Sequence, residues 1–104
     1  MGNKYGAHRT EVDNIVFDSA REATRYVELK AMSQGGAIED LEIHPEYPFI
    51  LNGHKIGKYI ADFAYFDREK EESIVEDVKG VKTAVYKLKK KLMLALWSID
   101  ILET

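Results

Sequence analysis

Several features that would assign a protein class at once are missing from the sequence. There is no cysteine, which excludes a disulfide scaffold and a thiolate zinc site. The three histidines include no pair with the spacing of metal ligands, and no glycine-rich phosphate loop occurs. No apolar stretch is long enough to span a bilayer, and the amino terminus carries neither an export segment nor a myristoylation signal. These absences predict a cytoplasmic protein that does not enter a membrane.

Length and composition predict a single globular domain. The 104 residues are 45% apolar and 32% charged, which is typical of a folded soluble protein and not of a disordered one. A chain of this length can build one core but not two. We therefore predict one domain over residues 1–104, opened by a basic arm over residues 1–11.

The charges are unevenly distributed. A net charge of -3 argues against a nucleic-acid partner, because phosphate binding usually leaves a basic footprint. Acids crowd the segment 67–72, however, and a stretch rich in lysine and free of acids follows over residues 79–91. The residues of this stretch and of the basic arm that we predict to contact nucleic acid are Lys82, Lys87, Lys90, Lys91, Lys4 and Arg9. The alternative interpretation of the lysines is a solvated helix face.

Local signals predict a hairpin and a first helix. Apolar residues over 12–17 flank Asp13-Asn14, a pair typical of tight turns. Ser19 and Glu22 then have the spacing of a capping box, and the apolar pattern that follows suits a helix ended by Gly35-Gly36.

Strand signals fill the middle of the sequence. An extended segment over residues 41–51 is interrupted by two prolines, which suit an edge or a bulge. Asn52-Gly53 predicts a turn into a strand over residues 55–66. A charged loop separates that strand from another over residues 74–79.

A second helix and a last strand complete the prediction. Thr83 is a candidate cap, and apolar residues recur behind it at helical spacing. The predicted core-facing stripe is Val85, Leu88, Leu92 and Leu96. A strand over residues 99–102 follows, so the predicted order after the hairpin is helix, three strands, helix, strand.

Two of the predicted strands carry the residues for a metal-dependent phosphodiesterase site. Side chains alternate across a strand, so Asp77 and Lys79 must share a face, with Glu76 on the other. If the strands pair, Asp62 joins them. Two carboxylates suit a hard divalent cation, and the ammonium group could orient a water molecule or stabilise charge on a phosphate.

This arrangement resembles the PD-(D/E)XK nuclease superfamily. More closely, it is similar to a family of small phage and prophage proteins assigned to that superfamily, which long carried a domain-of-unknown-function label. The segments that carry the similarity are residues 12–23, 59–63, 76–80 and 85–89. The resemblance implies an α/β fold with a restriction-endonuclease-like αβββαβ core, in which two helices flank a mixed central sheet. Ala61 stands where the superfamily often has proline.

The resemblance also implies roles for individual residues. Asp62 and Asp77 would bind Mg²⁺, for which Mn²⁺ would substitute, and the carbonyl oxygen of Val78 would be a further ligand. Lys79 would position the attacking water or neutralise charge in the transition state. Glu22 would lie in the outer shell of the metal or help hold a second ion.

Each of these residues also has a structural interpretation. Glu22 could only complete the capping box with Ser19. Asp77 and Lys79 could be ordinary residues at a strand end. His44, next to a proline, is interpreted as a surface or hydrogen-bonded histidine and not as a ligand.

Lys89 is a further candidate for the site. Helical periodicity places it on the core-facing side of the second helix, where an ammonium group is costly unless it reaches an acid or a phosphate. We predict that it points toward Asp62 and Asp77. The alternative is that it extends past the core edge to water.

The function that these patterns predict is a metal-dependent DNA endonuclease. A short chain has little room for a separate sequence-reading domain, which favours recognition of DNA shape. Branched intermediates of phage recombination or replication are the predicted substrate, and a homodimer would let the enzyme cut two strands. The alternative is a non-catalytic module that binds nucleic acid or protein and retains the nuclease fold.

Overall fold

A computed structural model describes residues 9–79 and 81–104. It shows a mixed α/β fold with a mixed sheet and two helices, which confirms the predicted class. The helices are α1 (Ala20–Gln34) and α2 (Ala84–Trp97). The strands are β1 (Thr10–Val12), β2 (Ile15–Phe17), β3 (Ile38–Ile43), β4 (Glu46–Leu51), β5 (His54–Ile60), β6 (Phe63–Asp67), β7 (Glu72–Asp77) and β8 (Leu102–Glu103).

The first two strands form the predicted hairpin. Asp13 and Asn14 have φ angles of 53° and 62°, as a two-residue turn with a left-handed backbone requires. The hairpin begins at Thr10, so the last residues assigned to the basic arm belong to a strand. Residues 1–8 of that arm, which include Lys4, lie outside the described residues.

The central sheet has the strand order β3-β6-β7-β8. Its first two pairings are antiparallel, whereas β7 and β8 are parallel because α2 crosses over between them. Alternate residues of β6 and β7 face two apolar clusters. One cluster, with Leu29 and Phe63, lies under α1, and the other, with Phe49 and Met93, lies under α2.

The single strand predicted over residues 55–66 is wrong. The chain bends at Ala61-Asp62, between β5 and β6. Backbone bonds hold this bend: the amide of His44 donates to the Asp62 carbonyl at 3.0 Å, and the amide of Ala61 donates to the Pro45 carbonyl at 3.1 Å. Asp62 therefore lies outside both strands, at a position that the backbone fixes.

The extended segment predicted over residues 41–51 is also two strands, β3 and β4. Strands β4 and β5 pair with each other around the predicted turn at Asn52-Gly53, and we call them the β4–β5 hairpin. They continue the β3–β6 ladder beyond the bend. Phe49 and Tyr59 of this hairpin are buried in the cluster under α2, so the hairpin packs on the α2 side of the sheet.

Helix α1 begins and ends as predicted. The hydroxyl oxygen of Ser19 accepts a hydrogen bond from the Glu22 amide at 3.2 Å, and Gly35 caps the other end. Buried Ala23, Tyr26 and Leu29 of α1 face the sheet.

Helix α2 begins at the predicted cap, since Thr83 accepts from the Tyr86 amide at 3.1 Å. Of the predicted core-facing stripe, Leu92 packs against the cluster under α2, but the prediction is wrong for Val85, Leu88 and Leu96. Val85 and Leu88 are 62% and 58% exposed, whereas Tyr86 and Met93 are buried. The helix carries two apolar faces, and the sheet and the β4–β5 hairpin contact the face that includes Tyr86.

The ends of β7 and β8 differ from the predicted bounds. Strand β7 stops at Asp77, two residues early, and β8 begins at Leu102, the last residue predicted for it. Beyond both strands the pairing goes on, because the Thr104 amide donates to the Asp77 carbonyl at 3.0 Å and the Lys79 amide to the Thr104 carbonyl at 3.1 Å. These bonds fix the backbone on both sides of Val78. In the described part of the chain, neither helix has the length and apolarity needed to cross a bilayer.

Candidate active site

A cavity of about 410 Å³ opens at the carboxyl end of β7. The start of α1, the β4–β5 hairpin, the bend at Asp62 and the start of α2 form its walls. All six residues predicted for catalysis or metal binding line it: Glu22, Asp62, Asp77, Val78, Lys79 and Lys89. Glu22 and Lys89, which are 67 positions apart in the chain, thus line the same cavity. Their assigned roles stay predictions.

Asp62 and Asp77 form a pair of carboxyl groups in this cavity. Both line the cavity and the charge of Asp77 acts on Asp62, while Asp62 Oδ2 accepts a hydrogen bond from the Val78 amide at 2.7 Å. Burial, followed by the charge of Asp77, raises the pKa of Asp62 to about 8, although the amide bond opposes the shift. Near neutral pH, with no cation bound, Asp62 therefore tends to keep its proton.

Asp77 is almost fully buried, at 3% exposure, and its two oxygens have different partners. Lys79 Nζ lies 3.0 Å from Oδ1, so the predicted shared face of Asp77 and Lys79 is confirmed. The same ammonium group lies 4.1 Å from the centre of the Tyr86 ring, a cation–π distance. On the other oxygen, Oδ2, Asp77 accepts a hydrogen bond from the Tyr59 hydroxyl.

Tyr59 is a site residue that the sequence did not reveal. Burial and the adjacent Asp77 raise the pKa of its hydroxyl above the ordinary value, so it stays a neutral donor. Side chains alternate across β5, so Gly57 and Tyr59 share a face. This alternation could have indicated that Tyr59 points inward. Its contact with a residue 18 positions away depends on the bend in the chain and has no local signal.

Glu22 forms only one half of the predicted capping box. Its amide donates to the Ser19 hydroxyl oxygen, yet its carboxyl group lines the cavity and bonds to the Asp18 backbone, which is not the bond of a capping box. Burial, then the charge of Asp18, raises its pKa, and Asp77 adds to the effect. Glu22 therefore shares an electrostatic environment with the aspartate pair.

The cations around the cavity differ from those predicted to bind nucleic acid. Lys89 is half-buried and lines the cavity, and no carboxylate in residues 9–79 and 81–104 pairs with it. Lys58 of the hairpin also lines it, bonded to Glu46 at 2.8 Å, and was not predicted. Lys82 and Lys90 instead pair with Glu103, at 3.0 and 3.3 Å.

The remaining predicted contacts lie away from the cavity. Lys87 and Lys91 are exposed on the outer side of α2, and Arg9 is exposed just before β1. None of the three lines the cavity, and no acid among the described residues forms an ion pair with any of them. They stay candidates for contacts with a larger ligand.

Glu76, next to Asp77, points to the other face of the sheet as predicted. It is fully buried and accepts from Arg25 Nε at 2.5 Å and from the Tyr65 hydroxyl at 2.7 Å. The Glu76 carboxylate raises the pKa of Arg25 above its ordinary value. This group ties α1 to β7 directly behind the cavity.

The donor set fits a hard divalent cation. Asp62, Asp77 and the Val78 carbonyl offer oxygen ligands of the kind that Mg²⁺ and Mn²⁺ prefer. Four acidic residues line the cavity, namely Asp18, Glu22, Asp62 and Asp77, and Lys79 pairs with Asp77. Burial, and then repulsion by neighbouring acids, raises the pKa of Asp62. Among the described residues, no three acidic or histidine side chains are arranged as a complete metal-binding group.

Comparison with known proteins assigns the chain to a family. A family model described as "Protein of unknown function (DUF1064)" matches residues 2–99, almost the whole chain. No curated protein and no solved structure matches the chain.

Proposed function

From the premise that the chain belongs to the DUF1064 family, we propose that it is a metal-dependent endonuclease that hydrolyses phosphodiester bonds in DNA. The observation that carries the proposal is that Asp62, Asp77 and Lys79 line one cavity, with Lys79 paired to Asp77 at 3.0 Å and the charge of Asp77 acting on Asp62. Repulsion between two ionised carboxyl groups that are close together raises the free energy of the folded protein, and a bound divalent ion offsets this repulsion.

We also propose that the fold is restriction-endonuclease-like. Without the β4–β5 hairpin, the elements α1, β3, β6, β7, α2 and β8 follow the order αβββαβ, and the strands of this set form one mixed sheet. The hairpin is then an insertion between the first two core strands. Its bend supplies the position of Asp62.

The proposed chemistry assigns each residue a task. Asp62, Asp77 and the Val78 carbonyl would hold the cation, with Glu22 beside them. The bound ion would lower the pKa of a water molecule and polarise the phosphate. Lys79 would balance negative charge on the scissile phosphate, and Lys89 would add to it from α2.

Both helices support binding of an anion at this place. Glu22, in the first turn of α1, and Thr83 and Tyr86, at the start of α2, line the cavity. The amino-terminal end of a helix carries a partial positive charge and unpaired amides, which favours a phosphate group nearby. The cavity thus combines acids that suit a cation with surroundings that suit the phosphate.

The substrate we propose is DNA of branched shape, as arises in phage recombination or replication. The predicted DNA contacts outside the cavity, Lys87, Lys91 and Arg9, are cations that can bind phosphates whatever the base sequence. A homodimer would place two such sites on one substrate.

The experiment is a cleavage assay with Mg²⁺ or Mn²⁺ on single-stranded, duplex, flap and four-way DNA. The wild-type chain should cut at least one substrate, and Asp77→Asn and Lys79→Ala should each abolish cutting. The two losses should not add, because both residues act on one transition state. Near-normal turnover in either variant would overturn the assignment. Tight DNA binding without any cleavage would instead support the non-catalytic module.

A further inference from the structure

Tyr59 reaches the aspartate pair from outside the central sheet. It belongs to β5 of the β4–β5 hairpin, is 4% exposed, and donates its hydroxyl hydrogen to Asp77 Oδ2. Its ring lies among apolar residues, with the Tyr47 ring centre 6.4 Å away. A buried hydroxyl is costly without a partner, so packing of the ring and the bond to Asp77 together fix its position.

The two partners of Asp77 differ in charge. Lys79, on Oδ1, is a cation and competes with any other cation for that oxygen. Tyr59, on Oδ2, is neutral and has no such conflict. A cation that binds Oδ1 must therefore share that oxygen with Lys79 or displace it, whereas the tyrosine can keep its hydrogen bond to Oδ2.

We propose that Tyr59 is a positioning residue that orients the Asp77 carboxylate for cation binding. Its hydroxyl holds Oδ2 against the hairpin and leaves Oδ1 directed toward Lys79. This inference rests on the proposed function, because the cation is the one assigned there to Asp62 and Asp77. With this role for Tyr59, the β4–β5 hairpin contributes a residue to the site as well as covering the core.

The geometry around Asp77 supports this role. The backbone at Asp77 is fixed by the Thr104 amide at 3.0 Å, so the remaining freedom lies in rotation of the carboxyl group. One hydrogen bond to a rigid, buried tyrosine removes that freedom. Partners of ligating carboxylates in other metal sites act in this way, and their loss typically weakens metal affinity by about 10- to 100-fold.

The test uses Tyr59→Phe, which removes the hydroxyl and keeps the ring. Tyr47→Phe is the matched control, because Tyr47 lies in the same hairpin and stacks on Tyr59. Binding of Mn²⁺ is measured from the loss of the electron paramagnetic resonance signal of the free ion. Tyr59→Phe should bind Mn²⁺ about 10- to 100-fold more weakly than the wild-type chain, and Tyr47→Phe should bind it normally.

A second readout separates positioning from damage to the fold. In Tyr59→Phe, DNA cleavage should recover as the Mn²⁺ concentration rises, while the KM for DNA stays at its wild-type value. A variant with a distorted site would stay slow at every Mn²⁺ concentration. Recovery of cleavage at high Mn²⁺ concentration is therefore expected only if Tyr59 acts by positioning Asp77.

Should Tyr59→Phe fail to fold, 3-fluorotyrosine at position 59 in the otherwise unchanged chain provides the test. Its fluorine resonance should shift when Mg²⁺ is added, and the resonance of 3-fluorotyrosine at position 47 should not. An unchanged resonance at position 59 would overturn the inference.

The outcomes distinguish the inference from the proposed function. If the wild-type chain binds Mn²⁺ and needs Asp77 for it, but Tyr59→Phe binds equally well, only the role of Tyr59 is wrong. If the wild-type chain binds no Mn²⁺, or Asp77→Asn binds it unchanged, the metal site itself is wrong and the role of Tyr59 falls with it.

Discussion

Asp62 combines an unusual backbone position with an unusual charge environment. It lies at the bend between β5 and β6, accepts a hydrogen bond from the Val78 amide, and lines the same cavity as Asp77. Burial and the neighbouring acids outweigh that amide bond, so its pKa rises from 3.8 to about 8. A residue placed in this way reduces the stability of the folded protein when it is ionised.

The first prediction is a pH dependence of stability caused by Asp62. The folded chain retains a proton that the unfolded chain releases, so the free energy of unfolding should fall as the pH rises from about 4 to about 8. Asp62→Asn should remove this part of the decline. The measurement is urea unfolding across that pH range in EDTA.

Asp100→Asn, a change at an exposed aspartate, is the control for Asp62→Asn. Added Mg²⁺ should restore stability to the wild-type chain at high pH, because binding to the folded state alone stabilises it. Parallel pH profiles for the wild-type chain and Asp62→Asn would contradict the electrostatic environment assigned to this residue.

The second prediction separates two lysines of α2. Lys89 lines the cavity and is half-buried, whereas Lys91 is exposed on the outer side of the helix. Lys89→Ala should lower kcat by about 10- to 100-fold, as loss of a charge directed at the reacting phosphate does. Lys91→Ala should leave kcat unchanged and should lower the number of counterions released on DNA binding, read from its salt dependence, by about one.

Equal and small effects of Lys89→Ala and Lys91→Ala would place both lysines on one solvated basic face. That result would leave the roles of Asp62, Asp77 and Lys79 untouched.

At the scale of elements, Arg25 joins α1 to β7. Its guanidinium group bonds both oxygens of Glu76, which is fully buried, and the Tyr65 hydroxyl bonds one of them. Glu22 lies one turn earlier on α1 and Asp77 one residue later on β7. The ion pair therefore sets the distance between two elements that bring acids to the cavity.

The third prediction concerns that ion pair. Arg25→Met should destabilise the fold by about 3 kcal/mol, because it leaves a buried carboxylate without its cation. The double change Arg25→Met with Glu76→Met should recover much of that loss, since both charges are then gone. Arg21→Met, a change at an exposed arginine of the same helix, is the control. Urea unfolding measures all three.

If Arg25→Met and Arg21→Met lowered the stability equally, the ion pair would not be what joins α1 to β7.

The elements that the sequence predicted correctly have local causes. The turn at Asp13-Asn14, the caps at Ser19 and Thr83, and the turn at Asn52-Gly53 each depend on residues within a few positions. All four are present. The shared face of Asp77 and Lys79 also follows from local geometry, namely the alternation of side chains along an extended chain.

The errors have non-local causes. The bend at Asp62 is held by backbone bonds to His44 and Pro45, which no pattern around Asp62 reveals. Helix α2 has two apolar faces, and periodicity alone does not show which of them meets the sheet. Tyr59 and Arg25 were missed for the same reason, because each reaches a partner that only the folded chain brings near.

At the scale of the whole molecule, one sheet serves both apolar clusters. The cluster under α1 and the cluster under α2 lie on opposite faces of β6 and β7. Both clusters include residues of β6 and β7, so loss of one cluster would expose one face of the strands that support the other cluster. The two halves of the core should therefore unfold together.

The fourth prediction follows from this shared sheet. The single tryptophan, Trp97, packs edge-on against Tyr47 at 5.3 Å between ring centres and donates to the Pro48 carbonyl. Its fluorescence reports the contact between α2 and the β4–β5 hairpin, whereas far-ultraviolet circular dichroism reports the whole backbone. The two urea transitions should coincide, as expected of one cooperative domain. A separate, earlier fluorescence transition would show that the hairpin unfolds by itself.

The bend at Asp62 has a consequence for how the protein tolerates length changes. The two backbone bonds that fix it lie at the base of the β4–β5 hairpin, whereas the Asn52-Gly53 turn lies at the far end, beyond six paired positions. A peptide inserted at that turn would lengthen the tip without altering the base. The tip is therefore the place where a DNA-reading loop or an affinity tag could be grafted while Asp62 keeps its position.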